Sequence, residues 1–111
     1  MVDREGYTRV TSADAVEEGQ LYPCTVGEEQ RLLTKVDGRV HAIEGICTHE
    51  FAELADGDLE GEVLWCPLHA SGFDVRTGAV TSPPAQRPLK TYDVRIEDDQ
   101  VYVSREPTAG A

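Results

Sequence analysis

The chain has 111 residues and a mass of 12.2 kDa, enough for one domain with a modest core. Ten Lys and Arg stand against 21 Asp and Glu, a net charge of −11, which argues against nucleic acid and anionic membrane surfaces and for a basic protein partner or plain solubility. No apolar run approaches the roughly 18 residues of a membrane span, and Met1–Gly6 has no apolar stretch of signal-peptide type, so the expected location is cytoplasmic.

In chain order, Asp14 to Gly19 carries a possible N-cap, a Glu at the third helical position and a stopping Gly, which allows about one helical turn. Leu21–Val26 reads as a strand that Pro23 pushes to an edge or a bulge. Gln30–Val36 and Arg39–Ile43 flank Asp37-Gly38, a strong two-residue hairpin signal, because a type I′ turn needs positive φ at both central residues. Gly61–Cys66 and Gly72–Val75 read as two short strands. Lys90–Glu97 alternates apolar Tyr92, Val94 and Ile96 with Asp93, Arg95 and Glu97; Asp98-Asp99 turns the chain and Gln100–Ser104 runs back. Residues 106–111 are expected to be a disordered tail. The fold class is all-β, with short antiparallel strands and residues 4–105 forming one domain.

Three cysteines are too few for a disulfide framework, so in a reducing compartment each reads as a ligand, a nucleophile or a small core residue. Two of them pair with histidines: Cys47-Thr48-His49 and Cys66-Pro67-Leu68-His69, with 16 residues between His49 and Cys66. Four soft or borderline ligands in two short loops suit a metal site. A structural zinc in a Cys₂His₂ tetrahedron is one candidate, although zinc pairs usually group like with like. A 2Fe–2S cluster with two thiolates on one iron and two imidazoles on the other is the second. One Cys and one His from each loop suits that asymmetry better.

With Phe73-Asp74, Thr77-Gly78 and Pro83-Pro84 added to those two loops, the chain resembles the Rieske ferredoxins from about Tyr7 to Val103. These small electron carriers are best known from bacterial multicomponent aromatic-ring dioxygenases. The resemblance implies stacked small antiparallel sheets with a cluster-binding part at about residues 45–84. It implies that Cys47 and Cys66 hold one iron, that His49 and His69 hold the other at an exposed tip, and that the Ser82-Pro83-Pro84 loop closes a third side. It implies a flavoprotein reductase and a terminal non-haem iron oxygenase as partners, a monomer, and no chemistry on a substrate by this chain itself. A nitrite reductase small subunit, a ferredoxin of iron–sulfur assembly and a zinc-stapled interaction module are the other readings.

Relatives in respiratory complexes carry an extra Cys in each ligand loop, joined as a disulfide; here those positions are Ala52 and Leu68. They also carry a Ser and a Tyr that donate to sulfur; here Ser71 matches the first and Phe73 replaces the second. Hydrogen bonds to sulfur favour the reduced state, so the expected potential lies in the lower part of a range of about −150 to +300 mV.

From Val40 to Val75 there is no Lys or Arg, while Glu44, Glu50, Glu53, Asp56, Asp58, Glu60, Glu62 and Asp74 fall there. This acidic stretch is either a docking face or a solubilising one. Cys24 reads as a small apolar residue in its strand, His41 as an ordinary packed or exposed histidine, and Trp65 as core with some shielding of the site. The faint calcium-loop pattern starting at Asp56 fails, because its twelfth position is Pro67 rather than Glu.

Overall fold

The computed structural model describes residues 6–47, 52–67, 71–83, 85 and 87–108. Among these residues there are ten antiparallel strands: β1 Tyr7–Ser12, β2 Leu21–Val26, β3 Glu29–Val36, β4 Arg39–Glu44, β5 Asp58–Glu60, β6 Val63–Trp65, β7 Gly72–Asp74, β8 Val80–Ser82, β9 Thr91–Glu97 and β10 Gln100–Pro107. Two single 3₁₀ turns, Ala13–Ala15 and Leu54–Asp56, are the only helical elements among the described residues. The all-β class is borne out.

The strands divide into a six-stranded sheet, ordered β1-β10-β9-β4-β3-β2, and a four-stranded sheet, ordered β5-β6-β7-β8. Both expected hairpins lie in the larger sheet. Asp37 and Gly38 adopt φ of 53° and 79°, and Asp98 and Asp99 adopt 52° and 61°, the paired positive φ that matches the twist of the flanking strands. Aspartate tolerates this region better than most residues, which is why the second turn works without a glycine. Glu18 completes the first turn from outside: its carboxylate accepts from the N–H of Asp37 (2.7 Å) and of Gly38 (2.9 Å). Those bonds pull its pKa below the usual carboxylate value.

β2 is an edge strand, as Pro23 requires. The larger sheet curls until its two edges meet, and the Tyr22 hydroxyl on β2 donates to the Thr11 hydroxyl on β1 at 3.0 Å. β3 is buried on both faces. Leu32 and Val36 join Ile43, Leu54, Leu64, Phe73, Val75 and Leu89 in one apolar cluster drawn from both sheets. Leu33 points the other way and joins Val16, Val26, Ala42, Tyr92, Val101 and Val103, as period-2 alternation demands.

Two expectations need correction. The turn after β1 begins at Ala13, with Ser12 before it making no side-chain cap bond, so Asp14 lies inside the turn and caps nothing. The segment is pulled by tertiary contacts instead: Val16 is buried and the Gly19 N–H donates to the Lys35 carbonyl at 2.9 Å. At the other end, Glu106 and Pro107 belong to β10, and the Thr108 N–H donates to the Thr91 carbonyl at 2.8 Å. Residues 109–111 of the expected tail lie outside the described residues.

The cause of that ordering is Arg31. Its side chain is 1% exposed. The β9–β10 register breaks between Val103 and Pro107, and the guanidinium donates into the break, to the carbonyls of Ser104 (3.0 Å) and Arg105 (3.1 Å). It stacks on the Tyr92 ring at 3.5 Å and pairs with Glu29 at 2.6 Å. A buried cation with these partners is tolerable because its charge is shared among an anion, two carbonyls and a π face.

Candidate metal centre

β4 delivers the first candidate loop and β6 the second. After β4, the Gly45 N–H donates to the Gln30 carbonyl at 3.0 Å and the Leu54 N–H to the Gly45 carbonyl at 2.9 Å. A side chain at Gly45 would sit about 3.0 Å from the Gln30 backbone, so glycine is what lets β4 turn out here. Ile46 and Glu53 then pair as an isolated antiparallel bridge, and the Cys47 N–H donates to the Ala52 carbonyl at 2.8 Å. In the second loop Trp65 pairs with Gly72, and the Cys66 N–H donates to the Ser71 carbonyl at 2.9 Å.

The two pinches share one geometry. Each cysteine N–H bonds the carbonyl five residues on, with four residues, 48–51 or 67–70, between the two bonded positions. Cys47 is 1% and Cys66 4% exposed, and both belong to the apolar cluster between the sheets. No disulfide engages any of the three cysteines. His49 and His69 lie outside the described residues, as do Leu68 and Pro84.

The described surroundings of the two cysteines are closely packed. Phe73 is fully buried in this cluster, and Leu64 pairs with it across β6–β7. The Trp65 ring lies over Gly72, where a side chain would meet it at 3.1 Å. A side chain at Gly57 would fall 2.0 Å from the Trp65 carbonyl oxygen, so the Leu54–Asp56 turn packs directly on the end of β6. Ser71 is fully buried; its hydroxyl oxygen accepts from the Ala85 N–H at 3.0 Å. The hydroxyl proton has no acceptor among the described residues. A buried hydroxyl normally finds one, and a cluster sulfur is an acceptor of the right kind. Two buried cysteines, in the same apolar cluster as the Ala85 whose N–H holds that hydroxyl, fit the thiolate half of an iron–sulfur centre.

The other candidates separate from this site. Cys24 packs on the opposite face of the larger sheet, beside the cluster of Leu33 and Tyr92. Burial pushes its thiol up to about 11, so it stays protonated at neutral pH and is a poor ligand. His41 lies on β4 with its Nε2 buried and without a hydrogen-bond partner. Burial first, then the charges of Arg39 and Arg76, hold its pKa below the usual imidazole value, against a smaller opposing pull from Asp74.

The acidic stretch divides in two. Asp74 is covered and bound by Arg76 at 2.9 Å; Glu44 accepts from the Lys90 N–H at 2.6 Å and lies 3.5 Å from Arg87. Glu53, Asp56, Asp58 and Glu60 are exposed. Asp58 pairs with Trp65, the residue before Cys66, so the open carboxylates start at the base of both tips and run along the edge strand β5.

Sequence reasoning missed the matched pinch, although its signal was present: Ala52 and Ser71 stand at the same offset from their cysteines. It also missed Arg31, because Glu29–Val36 mixes charged, polar and apolar residues and nothing in it marks which charge is buried.

Known proteins agree with this geometry. The family model for the Rieske [2Fe-2S] domain matches residues 6–93. The ferredoxin component of naphthalene 1,2-dioxygenase/salicylate 5-hydroxylase systems from a Ralstonia species is 38% identical over 93 residues, covering 84% of this chain and 89% of that protein. The biphenyl dioxygenase ferredoxin subunit of Pseudomonas sp. strain KKS102 is 39% identical over 98 residues, covering 87% and 90%. Among solved structures, a Sphingomonas yanoikuyae ferredoxin superposes with a TM-score of 0.84 at 34% identity, covering 89% of this chain and 98% of that one. A chain from the complex of oxygenase and ferredoxin in carbazole 1,9a-dioxygenase gives 0.87 at 31% identity, covering 95% and 98%. With two buried cysteines on matched tips and a domain match over most of its length, this chain belongs to the Rieske [2Fe-2S] domain family.

Proposed function

We propose that this protein is a one-electron carrier, taking an electron from a flavoprotein reductase and passing it to a terminal non-haem iron oxygenase of the aromatic-ring dioxygenase type. The observation that carries this reading is the matched pair of pinched tips, each presenting a buried cysteine to one apolar cluster. The similar ferredoxin components of naphthalene and biphenyl dioxygenase systems support it. Cys47 and Cys66 hold one iron, and His49 and His69 the other. The domain spans residues 4–105, its cluster-binding part about 45–84, and the protein acts as a cytoplasmic monomer. When bound, the cluster stores one electron and returns it. The protein's own residues exclude water with Leu64, Phe73 and Trp65, fix the sulfur ligands through the Ala52 and Ser71 carbonyls, and present the tip beside open carboxylates.

Those carboxylates, Glu53, Asp56, Asp58 and Glu60, steer the tip toward a basic patch on the partner. The test is anaerobic purification followed by iron analysis and stopped-flow reduction and oxidation with dioxygenase-system partners. Two irons per chain, a red-brown protein and transfer rates that fall steeply with ionic strength are expected. A colourless zinc protein ends the carrier reading, and rates flat with salt remove the carboxylates from docking.

A further inference from the structure

We propose that Ala85, through its backbone N–H, is a positioning residue that aims the Ser71 hydroxyl at the cluster and thereby sets part of the reduction potential. This rests on the reading that Cys47 and Cys66 hold the iron–sulfur centre. A serine hydroxyl has one proton and two acceptor lone pairs, and a free rotor can point its proton several ways. At Ser71 that freedom is narrowed. Its carbonyl is committed to the Cys66 N–H at 2.9 Å, its side chain is fully buried, and the Ala85 N–H occupies its oxygen at 3.0 Å. The proton is excluded from the side that Ala85 occupies, and on this proposal it takes the remaining position that faces the cluster. A hydrogen bond to sulfur stabilises the reduced state more than the oxidised one.

Ala85 can act as a fixed donor because both arms of its loop are fastened. Upstream, Ser82 pairs with Gly72, the neighbour of Ser71. Downstream, the buried Leu89 donates its N–H to the Gly78 carbonyl at 2.8 Å. Gly78 has a φ of 81°, and a side chain there would fall 2.1 Å from the Leu89 carbonyl oxygen, so that joint admits only glycine. Ala85 itself is 3% exposed and packs in the cluster that holds both cysteines. The loop therefore delivers one N–H to one hydroxyl.

The test is a double-mutant cycle on the cluster-loaded protein, read by protein-film voltammetry: Ser71→Ala, Ala85→Pro and the two combined. Proline removes the donor at 85 and leaves the Ser71 hydroxyl in place. Both single variants are expected to move the potential negative, and the double variant no further than Ser71→Ala alone. Ser71→Thr, which keeps a hydroxyl, should restore sensitivity to the change at 85. If Ala85→Pro fails to take up the cluster, an ester in place of the Ala85 amide, made by semisynthesis, removes the same N–H with little change of shape and answers the same question. An unchanged potential on loss of the donor overturns the proposal, and so does an equal shift in the Ser71→Ala background. Wild-type protein that binds no iron is a different result and strikes the carrier reading instead.

Discussion

The two sheets of this molecule are built to different standards. In the larger one the strands run six to eight residues and two tight turns pin the register. In the smaller one every strand is three residues long. Three-residue strands offer few ladder bonds, and such a sheet is marginal by itself. It is held by what lies beneath it: Leu64, Phe73, Val75 and Ala85 packed with Leu32, Val36 and Ile43 of the larger sheet, and with Cys47 and Cys66 among them. The larger sheet has a second apolar cluster of its own, apart from the cysteines Cys47 and Cys66, and is expected to stand as a scaffold without metal. The smaller one is a jaw whose closing contacts include the two cysteines proposed as ligands.

The largest effect should therefore come from taking the cluster away. A group bound only by the folded state adds its binding free energy to folding. In apoprotein, or in Cys47→Ala/Cys66→Ala, amide hydrogen exchange should speed up by orders of magnitude across β5–β8 while β3, β4, β9 and β10 keep their protection. Uniform loss across both sheets would mean that the scaffold is not independent. Next comes packing. Phe73→Ala removes a fully buried ring from the jaw, at about 3–5 kcal/mol, and Leu33→Ala removes a side chain from the far face of the scaffold, at about 2–5 kcal/mol. The first should lower cluster retention as well as stability. The second should lower the thermal midpoint and leave the visible spectrum of loaded protein intact.

The same contrast explains what could be read from the sequence. Asp37-Gly38 and Asp98-Asp99 mark their hairpins because turn chemistry is local, and Pro23 places β2 at an edge for the same reason. The two candidate cysteines stood out by their spacing to the histidines, and both prove to be buried in one apolar cluster. β5 and β8 were not, since Asp58–Glu60 and Val80–Ser82 carry too few residues for periodicity to show. β1 escaped for another cause: Tyr7–Ser12 has no apolar alternation, and a register shift between Arg9 and Thr11 interrupts it. Glu18 capping a turn 19 residues away, and Arg31 reaching β10 across 73, are long-range events that no window along the chain contains.

Arg31 gives a way to damage the scaffold without touching the jaw. Arg31→Met keeps the bulk and removes the donors, leaving the Ser104 and Arg105 carbonyls without their side-chain partner. The expected cost is about 1–3 kcal/mol in denaturant unfolding. Faster exchange should be confined to Ser104–Thr108, with cluster retention unchanged. Stability equal to wild type would mean that the desolvation cost of the buried guanidinium cancels its bonds.

The smallest effect belongs to the joint between the sheets. His41 stands on β4 of the scaffold and feels Asp74 and Arg76 at the far end of β7, together with Arg39 on its own strand. Its folded pKa lies below the ordinary 6.5, chiefly through burial, so the native state holds its imidazole neutral. As pH falls below that value the unfolded chain takes up a proton that the native state resists. The stabilisation is complete above pH 6.5 and is lost as pH falls through the lowered folded value. Asp74 adds the same sign further down, because its carboxyl is held low by Arg76 and must be protonated in acid. His41→Gln removes the first of these. Thermal midpoints of wild type should decline between about pH 7 and pH 5 more steeply than those of the variant. The two profiles should run parallel below that interval, where Asp74 titrates in both. Parallel profiles over the whole range would mean that the joint holds its imidazole no differently from water.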